Sequence, residues 1–271
     1  MSVAGAPGAE RLAAAFADAG RRAALMPYLM GGFPDLPRSQ AIGEACASAG
    51  ADVLELGVPY SDPLADGPVI HAAGAAALRA GVRLGAVLDV GAALARRIPV
   101  VVMCYANLVY ARGLEAFASA LAERGIAGLI VPDLPLEEAP AALAACDAAG
   151  VALVPLVAPT TPDDRLSAIG RRARGFVYTV SVAGTTGERA SVGDGLAAVL
   201  ARTRAHTRVP VAVGVGIATP AHARQAADAG ADGVIVGSRL VRAAAEAVER
   251  GDDPATAVGE AVGTLAAALA R

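Results

Sequence analysis

The chain alternates between short apolar runs and longer stretches in which apolar residues recur at helical spacing. Apolar runs of about four to eight residues bounded by glycine or proline are typical of buried strands, whereas the amphipathic stretches predict helices. The pattern predicts strands at 24–30, at the start of 52–68, at 99–104, at the start of 127–135, and at 151–157, 175–181, 210–216 and 231–236. It predicts helices at 8–20, 35–50, 68–97 with interruptions at Gly81 and Gly85, 113–125, 136–150, after Thr161-Pro162, at 192–206, after Thr219-Pro220, and in two stretches after Gly237-Ser238.

One phrase recurs along the chain: a helix ends in glycine and leads directly into an apolar strand. It reads AGADVLELG at 49–57, AGADGVIVG at 229–237 and, more loosely, RGIAGLIVP at 124–132. A repeated helix–glycine–strand unit predicts parallel strands joined by helical crossovers. Eight units of about 30 residues fill the chain, which favours an α/β fold, a (β/α)8 TIM barrel with an extra N-terminal helix. A doubly wound sheet is the alternative. No linker divides the chain, so we expect one domain over 1–271.

Two carboxylates make the stretch 52–68 the strongest candidate for chemistry. Glu55 lies within an apolar strand, where a carboxylate is costly to bury, and Asp66 follows in a loop rich in proline and aspartate. If both converge on one pocket, their surroundings can set their pKa values apart and divide acid and base duties. Asp62 and Asp66 are equally consistent with aspartates that cap turns near prolines.

Composition excludes several classes of function. All 23 basic residues are arginines, so no Schiff-base lysine, lysine-bound pyridoxal phosphate or P-loop lysine is available. A net charge of −3 and 3% aromatic residues argue against nucleic acid and membrane partners. The histidines lack paired metal-ligand spacing, so neither a metal nor another cofactor is expected. Cys46, Cys104 and Cys146 predict buried thiols in a cytoplasmic protein without a signal peptide, and the doublets at 21–22 and 171–172 predict solvated helix ends.

Glycines after several strands point to an anion site. In a barrel of this kind the site lies at the carboxyl ends of the strands, and loops seven and eight commonly hold a phosphate. Gly214 and Gly216 permit close backbone approach, and Gly237-Ser238 begins a helix with free N–H groups. Together with Gly187 they favour a phosphorylated substrate, although each glycine is also consistent with a tight turn.

The motifs carry a family resemblance from about residue 10 to the C-terminus. ELGVPYSDPLADGP at 55–68, PYLMGGFPD at 27–35, CYANLVY at 104–110, VPDLP at 131–135, the loop at 181–187 and GVGI at 214–217 resemble the alpha subunit of tryptophan synthase. The resemblance implies retro-aldol cleavage of indole-3-glycerol phosphate to indole and glyceraldehyde 3-phosphate. It implies that Glu55 is the general acid/base and that Asp66 holds the indole N–H. The implied substrate-binding residues are Tyr105, Tyr178, Thr186, Gly187, Val215, Gly216, Ile235, Gly237 and Ser238.

The chemistry agrees with this resemblance. Aldol-type cleavage needs an electron sink, and without lysine or metal the substrate must supply one. Protonation of indole at C3 provides it, because the ring becomes an iminium-like indolenine. The enzyme then needs an acid/base near C3, an acceptor for N1–H and a base for the glycerol hydroxyl. Which oxygen Glu55 deprotonates, and whether it serves both steps, stays open.

The resemblance also implies a partner, a beta subunit in an alpha2-beta2 complex that carries pyridoxal phosphate, with Asp62 in the loop facing it. Two alternatives stay open: a stand-alone lyase that releases free indole, and a non-catalytic allosteric subunit. The chain departs from the family pattern at Val182, where many members have arginine, and at Val215, where many have a bulky residue. We expect weaker substrate ordering at most, and Val215→Phe should change KM.

Overall fold

The fold is a ring of parallel strands surrounded by helices. The computed structural model describes residues 7–180, 195–214 and 216–271. Its strands are β1 Ala24–Met30, β2 Leu54–Gly57, β3 Val100–Met103, β4 Gly128–Ile130, β5 Ala152–Val154, β6 Leu156–Val157, β7 Val177–Val180, β8 Val211–Gly214 and β9 Gly233–Val236. Its helices are α1 Gly8–Asp18, α2 Leu36–Ser48, α3 Pro68–Arg79, α4 Leu84–Leu94, α5 Ala106–Arg112, α6 Leu114–Glu123, α7 Ala139–Ala149, α8 Asp163–Arg172, α9 Leu196–His206, α10 Pro220–Asp228, α11 Ser238–Arg250 and α12 Pro254–Ala268.

The strands form a closed barrel, and the two ends of the sheet meet where one predicted strand is divided at Pro155. The sheet order is β5-β4-β3-β2-β1-β9-β8-β7-β6, with every pairing parallel. Its two end members, β5 and β6, are consecutive pieces of the single strand predicted at 151–157. Proline lacks the N–H that a strand ladder requires, so the run is divided there. The predicted (β/α)8 barrel with an added N-terminal helix is confirmed, and the doubly wound alternative is wrong.

Alternation along each strand separates two cores. Leu54 and Leu56 of β2 point outward into the large cluster under the helices. Val53, one position before β2, and Val101 of β3 belong to a second cluster inside the barrel. Glu55 has the same parity as Val53, so the two-residue period directs its carboxylate into the barrel. Only one polar position on this strand therefore faces the interior.

Helix α1 closes the N-terminal end of the barrel. Leu12 is fully buried among the interior residues, and the ring of Phe16 lies 5.5 Å from that of Phe176. Arg11 donates from Nη1 to the carbonyl of Gly125 at 2.6 Å and from Nη2 to that of Ala95 at 3.2 Å. Apolar packing and these charged hydrogen bonds fix α1 as a floor beneath the strands.

Three local predictions need correction. The region 68–97 divides at Gly81, whose φ is +79°, whereas Gly85 lies inside α4 and does not interrupt it. Helix α5 was not predicted, because its seven residues follow β3 too closely to show a period. Arg21 does not lie at a solvated helix end: α1 ends at Asp18, and Arg21 is bonded to Asp52 at 3.2 Å. The doublet 171–172 does end a helix, α8.

No helix in the described ranges is long and apolar enough to cross a membrane.

Candidate active site

Glu55 is a buried carboxylate in the middle of β2, facing the barrel interior. Its side chain is 1% exposed, and neither carboxylate oxygen has a hydrogen-bond partner among the described residues. Burial, followed by repulsion from Asp66, raises the pKa of Glu55 to about 8. At neutral pH the group therefore carries a proton that it can donate.

Asp66 lies half-buried in the loop between β2 and α3, where it faces the same space as Glu55. Burial raises its pKa, while a hydrogen bond from Tyr105 and the charge of His71 act in the opposite direction. The Tyr105 hydroxyl also accepts a hydrogen bond from the backbone N–H of Ala65 at 3.0 Å. The Tyr105 hydroxyl thus bonds both to the backbone of the loop and to the side chain of Asp66. This argues against a role for Asp66 as a simple turn cap.

Tyr28, which sequence reasoning did not single out, lies among the site residues. Its partner in the β1–β2 register is Glu55. Burial raises the pKa of Tyr28 well above its usual value, and the charges of Asp66, Glu55, Tyr105 and Tyr178 add to this effect. The signal was the alternation Met26, Tyr28, Met30 within β1, which directs this hydroxyl inward.

Tyr178 of β7 approaches the site from the opposite side of the barrel. It is buried, and burial together with Glu55 raises its pKa well above the usual value. A Cβ added to Gly214 would overlap the Tyr178 hydroxyl, and one added to Gly57 would overlap that of Tyr28. These two glycines make room for two aromatic rings, so their role extends beyond turn formation.

Of the residues predicted to bind an anion, Gly214, Gly216, Gly237 and Ser238 lie at or just after the carboxyl ends of β8 and β9. Ile235, which was predicted to bind the substrate, is buried in the interior cluster. Gly237 precedes α11 without a side-chain cap at that end. Ser238 is the first residue of α11, so its N–H points toward the top of the barrel. Gly216 has a φ of +86°, a conformation that residues with a side chain rarely adopt. The arrangement suits a small anion.

Four predicted positions lie outside the described residues: Val182, Thr186, Gly187 and Val215.

The loop after β2 presents an exposed face beside the site. Asp62 is exposed and accepts a hydrogen bond from Ser61 at 2.6 Å, and Leu64 is 84% exposed. Tyr60 stacks on Tyr105 with ring centroids 5.0 Å apart, and its hydroxyl lies 3.3 Å from the Asn107 amide nitrogen. The same loop therefore carries Asp66 inward and an apolar residue outward.

The cysteines belong to the apolar cluster under the helices. All three are free and buried, as expected, and burial raises the pKa of each thiol to about 12. Within the described ranges, no three histidine, cysteine or carboxylate side chains are grouped to hold a metal ion.

Known proteins share both the sequence and this architecture. The model of the family "Tryptophan synthase alpha chain" matches residues 15–270. The chain belongs to the tryptophan synthase alpha chain family. The alpha chain of Gloeobacter violaceus is 48% identical over 251 residues, covering 91% of this chain and 90% of that protein. The alpha chain of Phenylobacterium zucineum is 45% identical over 264 residues, covering 96% and 95%.

Solved structures agree with the sequence matches. A tryptophan synthase structure from Mycobacterium tuberculosis has a TM-score of 0.88 at 41% identity and covers 96% of this chain and 98% of that one. The alpha chain from Legionella pneumophila has a TM-score of 0.86 at 32% identity, with 97% of each chain covered. The expected activity is confirmed with the family: the chain is a carbon–carbon lyase that cleaves indole-3-glycerol phosphate in a retro-aldol reaction.

Proposed function

We propose that Glu55 carries out both proton transfers of this cleavage and that Asp66 holds the indole N–H. Neutral Glu55 donates its proton to indole C3, and the resulting carboxylate takes the proton from the glycerol hydroxyl as the carbon–carbon bond breaks. Electrons from that bond flow into the indolenine and restore the aromatic ring. Indole and glyceraldehyde 3-phosphate leave, and Glu55 is again protonated.

The burial of Glu55 without a partner carries this proposal. A pKa raised to about 8 keeps the acid form populated at neutral pH, and a pKa close to ambient pH suits a group that both gives and takes a proton. A carboxyl with fixed hydrogen bonds would be held in one protonation state. Glu55 has none among the described residues.

Asp66 is placed to accept a hydrogen bond in its ionised form. Tyr105 and His71 both favour the carboxylate and oppose the effect of burial. An ionised acceptor stabilises the positive charge that spreads to N1 when C3 is protonated. The surroundings of the two carboxyls therefore differ. Tyr105 and His71 favour the ionised form of Asp66, whereas burial and the charge of Asp66 favour the protonated form of Glu55.

The substrate phosphate is proposed to bind at the start of α11. The N–H groups at Gly237 and Ser238 attract an anion, and Gly216 gives the backbone room to approach it. These three residues would grip the phosphate, and Thr186 and Gly187 would belong to the loop that closes over it. Tyr105, Tyr178, Val215 and Ile235 would contact the remainder of the substrate. A grip remote from the reacting bond orients C3 toward Glu55.

The partner is proposed to be a tryptophan synthase beta subunit in an alpha2-beta2 complex, which would hold pyridoxal phosphate. The relatives are named alpha chains, which supports a second kind of subunit. The exposed face of Asp62 and Leu64, continuous with Asn107, suits a contact that would also move Asp66. Reduced buried cysteines and a biosynthetic role suit the cytoplasm.

Indole release measured with and without a beta subunit tests this proposal. We expect slow release by the chain alone and a clear increase when the partner is added. Rapid release that the partner does not change would favour the stand-alone lyase. No release in either case would favour the non-catalytic subunit and contradict the role given to Glu55.

A further inference from the structure

A cavity of about 230 Å³ lies outside the barrel, between α7 and α8. Helix α7 packs on α6 and β5, α8 packs on α9, and Pro155 lines the gap between the two helices. The volume is more than ten times that needed by one water, ~10–15 Å³. It is smaller than a typical drug-sized site, ~300 Å³ and above. A short chain or a single ring would fill it.

The walls of the cavity are mainly apolar. Leucines line it from four elements or loops, and several of them are only half-buried although they lie in a concave site. The apolar lining residues include Leu134, Leu136, Leu143, Leu153, Leu156 and Ile169. Covering such side chains with an apolar ligand would remove their surface from water, which favours binding.

The charged residues of the lining are of one sign. Arg165 and Arg172 line the cavity, and the described lining contains no carboxylate, although the charge of neighbouring Glu137 acts on both guanidiniums. Arg165 pairs with Glu137, at 2.5 Å from Nη1 and 3.2 Å from Nη2. Arg172 donates only from Nη1, to the carbonyl of Leu136 at 3.3 Å, among the bonds described. A guanidinium has five N–H donors, so Arg172 retains donors for an anion.

We propose that this cavity binds a small apolar monocarboxylate. Its chain lies against the leucine wall and its carboxylate meets the Arg172 guanidinium, which matches carboxylate geometry through paired N–H donors. The cavity shares Val154 and Leu156 with the barrel interior.

Calorimetric titration with octanoate tests the site, with 1-octanol as the neutral probe of the same chain length. We expect octanoate to bind and Arg172→Gln to weaken it by about tenfold, the effect of losing one charged hydrogen bond. Arg171→Gln is the matched control, because Arg171 is exposed on the same helix and does not line the cavity. Octanol should bind all three proteins equally.

A filling variant separates this cavity from the active site. Leu143→Trp should abolish binding of both probes, and because the chain has no other tryptophan its emission reports whether the new side chain is buried in a folded protein. Octanoate should still bind Glu55→Gln saturated with indole-3-glycerol phosphate. The proposal is overturned if octanoate fails to bind the unaltered chain, if Arg171→Gln weakens it as much as Arg172→Gln, or if substrate displaces it.

Discussion

The two ends of the barrel treat the same chemical group in opposite ways. Asp52 lies just before β2, at the floor, and Glu55 lies three positions later on the same stretch. Asp52 accepts a hydrogen bond from the N–H of Leu25 at 2.8 Å and pairs with Arg21 at 3.2 Å. Glu55 has neither kind of partner within the described chain. One carboxylate joins strands, and the other is left free to react.

The same set of bonds to an aspartate occurs a second time at the N-terminal end of the barrel. Asp232, before β9, accepts from the N–H of Val211 at 2.8 Å and pairs with Arg204 at 3.0 Å. Arg204 also donates to the Gly230 carbonyl, as Arg21 does to that of Gly50 at 2.5 Å. The two AGAD phrases thus build the same clamp twice. A buried polar group with partners stabilises the fold, and one without them costs stability and is available for chemistry.

The largest expected effect is on catalysis at the top. Glu55→Gln keeps the shape of the side chain and removes proton transfer, so kcat for indole release should fall by roughly 10³-fold or more. Stopped-flow or steady-state indole assays measure it. Turnover near that of the unaltered enzyme would contradict the proton-transfer role.

Asp66→Asn should have the next largest effect. The amide can still contact N1–H but cannot balance the developing positive charge, so kcat should fall by about 10²-fold while substrate still binds. Equilibrium binding and kcat should be measured on the same variant. A loss confined to binding would show that Asp66 only positions the substrate.

The pH profile of the free enzyme sharpens the comparison. Because Glu55 must begin protonated, kcat/KM should decline about tenfold per unit as pH rises above its pKa of about 8. A rate that instead rises through that range would mean that the carboxylate is the form that starts the reaction. Substitutions of Asp52 or Asp232 should leave this decline of kcat/KM with pH unchanged.

Replacing Glu55 should raise the stability of the fold, although it lowers the rate of catalysis. Its folded-state pKa is raised, so the group lowers stability as pH rises from the unfolded value of 4.5 toward about 8. At neutral pH Glu55→Gln should therefore raise the free energy of unfolding, by roughly 1–3 kcal/mol after relaxation of the site. Denaturant unfolding at pH 7 and pH 5 checks both sign and window: the gain should be smaller at pH 5.

The complementary effect belongs to the N-terminal end of the barrel, where a substitution should lower stability and leave catalysis unchanged. Asp52→Ala leaves the Leu25 N–H without its acceptor and Arg21 without its ion pair, so the free energy of unfolding should fall by about 1–3 kcal/mol. kcat at a temperature well below the unfolding midpoint should stay unchanged. Asp232→Ala is the matched variant at the repeated clamp. A large loss of kcat in either protein would mean that the two ends are not separate.

The sequence predicts the barrel well because its signals are local. Glycine-ended helices, apolar strands and a carboxylate among apolar residues are all visible without contacts. Tyr28 was missed because its importance depends on register, which pairs it with Glu55 only when β1 and β2 are aligned. Arg21 was misread because its partner is distant in sequence. The break at Pro155 had a visible signal, a proline within a strand, that the apolar run outweighed.

The floor formed by α1 has a consequence for turnover. With Leu12 and Phe16 packed in the bottom of the barrel, the described residues close the end beneath Glu55, so substrate reaches Glu55 from the strand ends above. Incoming substrate and outgoing indole then share a doorway. We therefore expect added indole to compete with new substrate.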